Sequence, residues 1–218
     1  MIRILSTKKL LPNQKQLLLD VDFSLIEADF IKIATTDFDL KKINDNLIFT
    51  SQNAVLSVLE HANAEQLKTK NVFCVGQKTK ALLEENGFNV IVYTGYAADL
   101  AEIILLIYSK ENYTFFSGNL RRETLPKSLK DGNINFNEIE VYETLLTPQQ
   151  PNSLVDGILF FSPSAVESYL KTHKIKNEIC FCIGKTTAEA LSKHAKTVIV
   201  ADQPTIEDTI VQCINEFK

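Results

Sequence analysis

Hydrophobic positions along the chain come in short continuous runs, each followed by a stretch with helical spacing, and one such arrangement occurs twice. Leu47-Ile48-Phe49 leads through Thr50-Ser51 into a helical pattern, and Ile158-Leu159-Phe160-Phe161 leads through Ser162 into another. A second unit follows each copy. Val72 to Val75 runs into Gly76, and Cys180 to Ile183 runs into Gly184. Each glycine opens a threonine-bearing helix, and each helix is followed by a Val-Ile-Val run, at 90–92 and 198–200. Ser51 and Ser162 are 111 positions apart and Gly76 and Gly184 are 108 apart, so one small deletion separates the copies. A weaker repeat sets Leu11-Pro12 with Phe23, Ile26 and Glu27 against Leu125-Pro126 with Phe136, Ile139 and Glu140, and this register matches Tyr142 with Asp29. Self-similarity on this scale indicates two halves built alike, with a groove between them.

The pattern predicts strands over 2–5, 23–26, 30–34, 47–51, 71–75, 89–93, 113–116, 135–144, 157–161, 179–183 and 197–201. It predicts helices over 12–20, 52–62, 77–86, 100–109, 126–131, 164–172, 186–193 and 205–217. Residues 37–45 read as a polar approach to the first repeat. Residues 145–153, with Pro148 and Pro151, read as a linker. Most strands are continuous apolar runs without in–out alternation, which predicts parallel sheets covered on both faces. Ligands of such sheets sit at the carboxyl ends of the strands. Those ends carry Thr7-Lys8, Thr50-Ser51, Gly76, Gly118-Asn119, Ser162 and Gly184.

Composition narrows the class. A chain of 218 residues forms one large domain or two of about 100 each, and the repeat favours two. A hydrophobic content of 45% with 23% charged residues supports a real core, and a net charge of −4 argues against a general nucleic-acid or membrane-surface binder. The opening Met1 to Leu5 run is broken by Lys8 and Lys9, so no secretory leader is expected. No apolar run approaches the roughly 20 residues that span a bilayer. A cytoplasmic location is the expectation. Of the four cysteines, Cys180 and Cys182 could offer two zinc ligands, but no Cys or His pair stands nearby to complete a site, so buried free thiols are expected. His61, His173 and His194 have no ligand spacing and are expected on solvated helix ends.

The candidate chemistry is that of a donor-rich groove. Gly184-Lys185-Thr186 is a fragment of a phosphate loop, but Ile179 stands where its first glycine belongs. What remains is a strand–Gly–helix turn made twice. Its free amides can bind an anion, with Thr79, Thr186 and Thr187 adding hydroxyls, or the same residues can simply cap a helix. Gly118-Asn119-Leu120 turns into a segment that carries Arg121, Arg122, Lys127 and Lys130 against Glu123, a net +3 over residues 117–130. Arg121 can grip a carboxylate through paired hydrogen bonds, whereas Lys127 and Lys130 read as solvated charges. Ser51 and Ser162 lack a partnering His and read as hydrogen-bond donors or helix caps more than as nucleophiles. No carboxylate pair forms an acid/base dyad. A polyanionic ligand suits this set.

The residues resemble the uroporphyrinogen-III synthase family. The resemblance rests on Phe49-Thr50-Ser51 with Ala54-Val55, Val75-Gly76 with Thr79, and Gly118-Asn119-Leu120-Arg121-Arg122 with Leu125-Pro126. It continues through Val141-Tyr142 with Thr144, Phe160-Phe161-Ser162-Pro163-Ser164, Ile183-Gly184 with Thr186-Thr187, and Pro204-Thr205, in the family's order over nearly the whole chain. The amino-terminal third departs from the pattern, with Lys8 where the family often has Arg.

The resemblance implies two flavodoxin-like α/β domains formed by a swapped tandem duplication and joined by a two-stranded β-ladder. Residues 1–35 with 152–218 would form one domain and 45–142 the other, with linker strands at about 30–44 and 140–151. It implies a cofactor-free and metal-free cyclisation of hydroxymethylbilane, a linear polycarboxylate tetrapyrrole, with loss of water and inversion of its last ring. Tyr142 would assist departure of the hydroxyl. Thr7, Lys8, Thr50, Ser51, Gly76, Thr79, Gly118, Asn119, Leu120, Arg121, Ser162, Ser164, Gly184, Thr186 and Thr187 would bind substrate. The protein would act as a monomer that opens and closes, in transient contact with the preceding pathway enzyme, with no nucleic acid or membrane partner. Two other readings of the same residues are a non-catalytic cleft protein for a small polyanion and a tetrapyrrole binder without turnover. Tyr142 could equally be a ladder-strand aromatic that packs between domains.

Overall fold

The computed structural model describes residues 1–151 and 154–218. The elements run β1 (Arg3–Ser6), α1 (Pro12–Leu19), β2 (Ser24–Glu27), β3 (Ile31–Thr35), β4 (Asn46–Phe49), α2 (Gln52–Leu59), β5 (Asn71–Val75), α3 (Gln77–Glu85), β6 (Asn89–Thr94) and α4 (Ala97–Ile107). They continue β7 (Asn112–Gly118), α5 (Thr124–Asp131), β8 (Asn135–Leu146), β9 (Gly157–Phe160), α6 (Pro163–Leu170), β10 (Ile179–Cys182), α7 (Lys185–Leu191), β11 (Val198–Val200) and α8 (Ile206–Phe217).

The chain divides into two compact units, Met1–Lys32 with Leu145–Lys218, and Ile33–Thr144. The first holds a five-stranded sheet ordered β11-β10-β9-β1-β2, in which every pairing is parallel. The chain's first two strands therefore share a sheet with its last three. The second sheet is ordered β3-β8-β7-β4-β5-β6, and the pairings from β8 to β6 are parallel. Taken with its strand–helix–strand piece first, each parallel set reads 2-1-3-4-5, the flavodoxin-like order, whose switch point is the ligand crevice. That switch point is β1/β9 in the first unit and β7/β4 in the second.

The continuous apolar runs are explained by burial on both faces. In the second unit Leu47 and Phe49 point into one core cluster and Ile48 into another. In the first, Ile158 and Phe160 face one cluster and Leu159 the other. The helices start where chemistry dictates. Ser51 Oγ accepts from Asn53 N–H and Ser162 Oγ from Ala165 N–H, both at 3.1 Å, so both serines are N-caps. Gly87, at φ +82°, ends α3 and lets Phe88 N–H return to Leu83 O at 3.0 Å.

The structure revises several boundaries. Strand β8 continues through Leu145 and Leu146, which the two prolines had suggested belonged to a linker; Thr147 to Pro151 is irregular, and Asn152 and Ser153 lie outside the described residues. A 3-10 segment at Ala64–Thr69 buries Ala64 and Leu67 and had no periodic signal. His61 packs at 5.0 Å on Phe38 and His173 at 4.7 Å on Tyr169, both half-buried, because an imidazole covers an aromatic ring better than it fills solvent at these ends; His194 alone of the three is exposed. The cysteines are buried and free, with thiol pKa values pushed up by burial to about 11 at Cys74 and about 12 at Cys180, Cys182 and Cys213.

Candidate active site

In the second unit the switch point between β7 and β4 opens into a cavity of about 320 Å³. That volume is at the low end of small-molecule sites, roughly 300–1,000 Å³. Thr50 and Ser51 come from the end of β4, and Ser117, Gly118, Leu120, Arg121 and Arg122 from β7 and its turn. Tyr142 of β8 and Gly95 and Tyr96 after β6 complete the rim, over an apolar floor that includes Phe115 and Leu125. Gly95 and Tyr96 were missed from the sequence. The strand-end rule that selected the other turns would have found them had it been applied after β6.

Strand β8 delivers Tyr142 through an irregularity. The parallel register pairs Ser117 with Glu140 but Gly118 with Tyr142, so one residue of β8 is extra at that step. Val141 turns into the core, fully buried, while the half-buried Tyr142 ring packs against the same cluster at the cavity's edge. The Tyr142 hydroxyl has no hydrogen-bond partner among the described residues.

Two arginines adjoin this cavity and differ completely. The Arg121 guanidinium donates to Glu138 twice, at 2.5 and 3.1 Å, and to Glu123. Those bonds raise its pKa further, Glu138 first. Burial pushes the Glu138 carboxyl up, but the bonds from Arg121 and Ser117 outweigh it and hold the group below its ordinary value. In this structure the fork of Arg121, expected to grip a ligand carboxylate, is filled by two carboxylates of the protein. Arg122 is exposed and has no ion pair among the described residues, so it is the cation available at this cavity. Asn119 is also engaged, its N–H on Tyr142 O at 3.3 Å and its Oδ1 on Thr144 N–H at 2.8 Å.

Beside this cavity, α3 begins at Gly76, held at φ +92°, with no side chain capping its first amides, and Thr79 is buried one turn in. The first unit repeats the arrangement. Ser162 and Ser164 share a hydroxyl contact of 2.9 Å, and α7 begins uncapped at Gly184 with Thr186 exposed and Thr187 buried. Lys8 is exposed. Thr7 departs from expectation. It is 1% exposed, and its hydroxyl donates to Leu159 O at 2.7 Å, beside its own N–H on the same oxygen at 3.1 Å. A hydroxyl so placed stitches β1 to β9 and cannot donate to a ligand. No cluster of metal-ligating side chains occurs among the described residues, and no helix among them is long and apolar enough to cross a membrane.

Comparison with known proteins agrees with this architecture. Residues 15–210 match the family model described as uroporphyrinogen-III synthase HemD. A porphyrin biosynthesis protein HemD of Ruminiclostridium josui is 25% identical over 186 residues, which cover 75% of this chain and 36% of that protein. The chain thus spans about a third of that relative's length. Among solved structures, uroporphyrinogen-III synthetase of Helicobacter pylori 26695 superposes with a TM-score of 0.77 at 19% identity, covering 99% of this chain and 100% of that one. A mutant uroporphyrinogen III synthase of Thermus thermophilus gives 0.67 at 14% identity, covering 99% and 98%. The two structures share the fold, and the family model, which takes in most of the sequence, shows that this chain belongs to the uroporphyrinogen-III synthase family.

Proposed function

We propose that the protein is a uroporphyrinogen-III synthase of haem and tetrapyrrole biosynthesis, a hydro-lyase that cyclises hydroxymethylbilane with inversion of the terminal ring. One observation carries this reading: Tyr142 stands at the rim of a strand-end cavity with its hydroxyl unpartnered among the described residues, beside an arginine that has no ion pair among them and an apolar floor. The floor suits a pyrrole ring, Arg122 suits a ring carboxylate, and the Tyr142 phenol donates to the departing hydroxyl as it leaves as water. Because the reaction needs the chain's two ends brought together in one fold of the substrate, positioning supplies much of the rate.

In the second unit the turns at Thr50-Ser51, Gly76 and Leu120 bind further carboxylates through amides and hydroxyls, and in the first unit Lys8, Ser162, Ser164, Gly184 and Thr186 offer donors of the same kind, while Thr79 and Thr187 are buried. Arg121 acts by holding Glu138 and the turn, and no cofactor takes part. We place the enzyme in the cytoplasm as a monomer that receives its unstable substrate from the enzyme that makes it. The test is a coupled assay in which hydroxymethylbilane is generated in place and the oxidised products are resolved. Dominant type III isomer supports the synthase. Type I alone, at the rate seen without protein, leaves a polyanion-binding protein of the same fold.

A further inference from the structure

We propose that Gly118 is a positioning residue for Tyr142, present so that the phenol end of the ring can lie on the β7 backbone, and not a ligand contact. This rests on Tyr142 being the reacting phenol. A Cβ built on Gly118 would stand 2.5 Å from Tyr142 Cε2 and 2.7 Å from Cε1, with Cζ nearer still. Ordinary carbon contacts lie at about 3.5–4.0 Å, so any side chain at 118 displaces the ring from the end that bears its hydroxyl.

The backbone gives no other reason for glycine here. Among the described residues the glycines with positive φ are Gly76 and Gly87, so Gly118 has a conformation open to any residue. The three atoms nearest its absent Cβ all belong to Tyr142. The requirement for glycine is therefore steric and comes from one side chain. The rest of the turn fixes the same side chain from the other direction. The register step between Ser117 and Gly118 sets Tyr142 opposite the glycine. Asn119 then holds β8 immediately after the Tyr142 Cα, through Tyr142 O at 3.3 Å and Thr144 N–H at 2.8 Å. The Gly118-Asn119 pair is thus a seat and a clamp, and both act on the direction of one hydroxyl.

Misplacing a reacting group by about 1 Å can cost about 100-fold in rate. Gly118→Ala should lower kcat at least tenfold with a smaller change in KM, and should lower Tm. In a Tyr142→Leu background, where no ring meets the new methyl, the Tm loss should vanish. Gly118→Ala added to Tyr142→Phe should lower kcat no further than Tyr142→Phe alone. If Gly118→Ala does not fold, the Tyr142→Leu double variant should, and its failure to do so would overturn the proposal. Wild-type kcat and Tm in Gly118→Ala, or an equal Tm loss with and without the ring, would overturn it as well. A Tm loss that the Leu background cures, with kcat unchanged in both Gly118→Ala and Tyr142→Phe, would uphold the seat and instead refute Tyr142 as the reacting phenol.

Discussion

The carboxyl ends of β1 and β7 are equivalent places in two sheets of the same parallel strand order, and they are finished in opposite ways. At the β1 end Thr7 occupies the switch point and bonds twice to Leu159 O, which ties β1 to β9. The turn that follows is capped by the protein's own carboxylates: Lys9 N–H donates to Asp29 Oδ1 at 2.9 Å and Leu10 N–H to Glu27 Oε1 at 2.6 Å. At the β7 end the corresponding strand stops at Gly118, Tyr142 lies where the repeat matches Asp29, and the crevice toward β4 is open. A turn that supplies its own anions has few donors left for a ligand's. Two sheets of the same strand order thus have two switch points, and side chains at two or three positions set how many donors each leaves free.

The largest effect expected from breaking this asymmetry is at Tyr142. If the proposed synthase reaction runs through its phenol, Tyr142→Phe should reduce kcat for type III product by about 100-fold, the usual scale for loss of a positioned proton donor, with the Tm little changed. Next comes the β1 end. Thr7→Val removes a buried hydroxyl bond and should cost about 1 kcal/mol, read as a lower urea midpoint with an unchanged m-value.

Arg121→Ala should be milder at neutral pH, because its ion pairs are partly exposed. Its signature is pH dependence. Glu138 has a folded-state pKa below its unfolded value, so its contribution is present above the ordinary carboxylate range and is lost as pH falls through the depressed value. The wild type should therefore lose more stability than Arg121→Ala between neutral and acid pH, and parallel curves would refute the pairing. The smallest effect is a gain. Ser57 and Ser168 are matched helix positions, six residues after Ser51 and Ser162. The Ser57 hydroxyl has Thr35 Oγ1 at 3.3 Å, but Ser168 Oγ is buried without a partner, the one such side-chain atom among the described residues. Ser168→Ala should raise stability by up to about 1 kcal/mol, whereas Ser57→Ala should not.

Much of the fold was legible because short apolar runs bounded by turn residues fit strands buried on both faces, and Leu47 to Phe49 and Ile158 to Phe160 are such runs. The caps at Ser51 and Ser162 were legible for the same local reason. The 3-10 segment at Ala64–Thr69 was not, since two tight turns are too short to show a period, and the reach of β8 was hidden by Pro148 and Pro151 just beyond it. Of the site, the strand-end turns could be read from topology alone and the weaker repeat set Tyr142 against Asp29, while a catalytic role for Tyr142 came only with the family resemblance. What no local pattern could supply was the register step at Ser117/Gly118, which alone puts glycine beneath the phenol. Nor could it say which arginine is free, because the partner that fills Arg121 is Glu138, on the neighbouring strand.

The deciding measurement is an amide NMR titration of the protein with uroporphyrinogen III, the product of the proposed reaction. The account predicts large shifts at Ser51, Tyr96, Leu120, Arg122 and Tyr142, with the amides of Lys9 and Leu10 unmoved because Asp29 and Glu27 already hold them. Shifts centred on Lys9 and Leu10, with the Gly118–Arg122 turn silent, would contradict it.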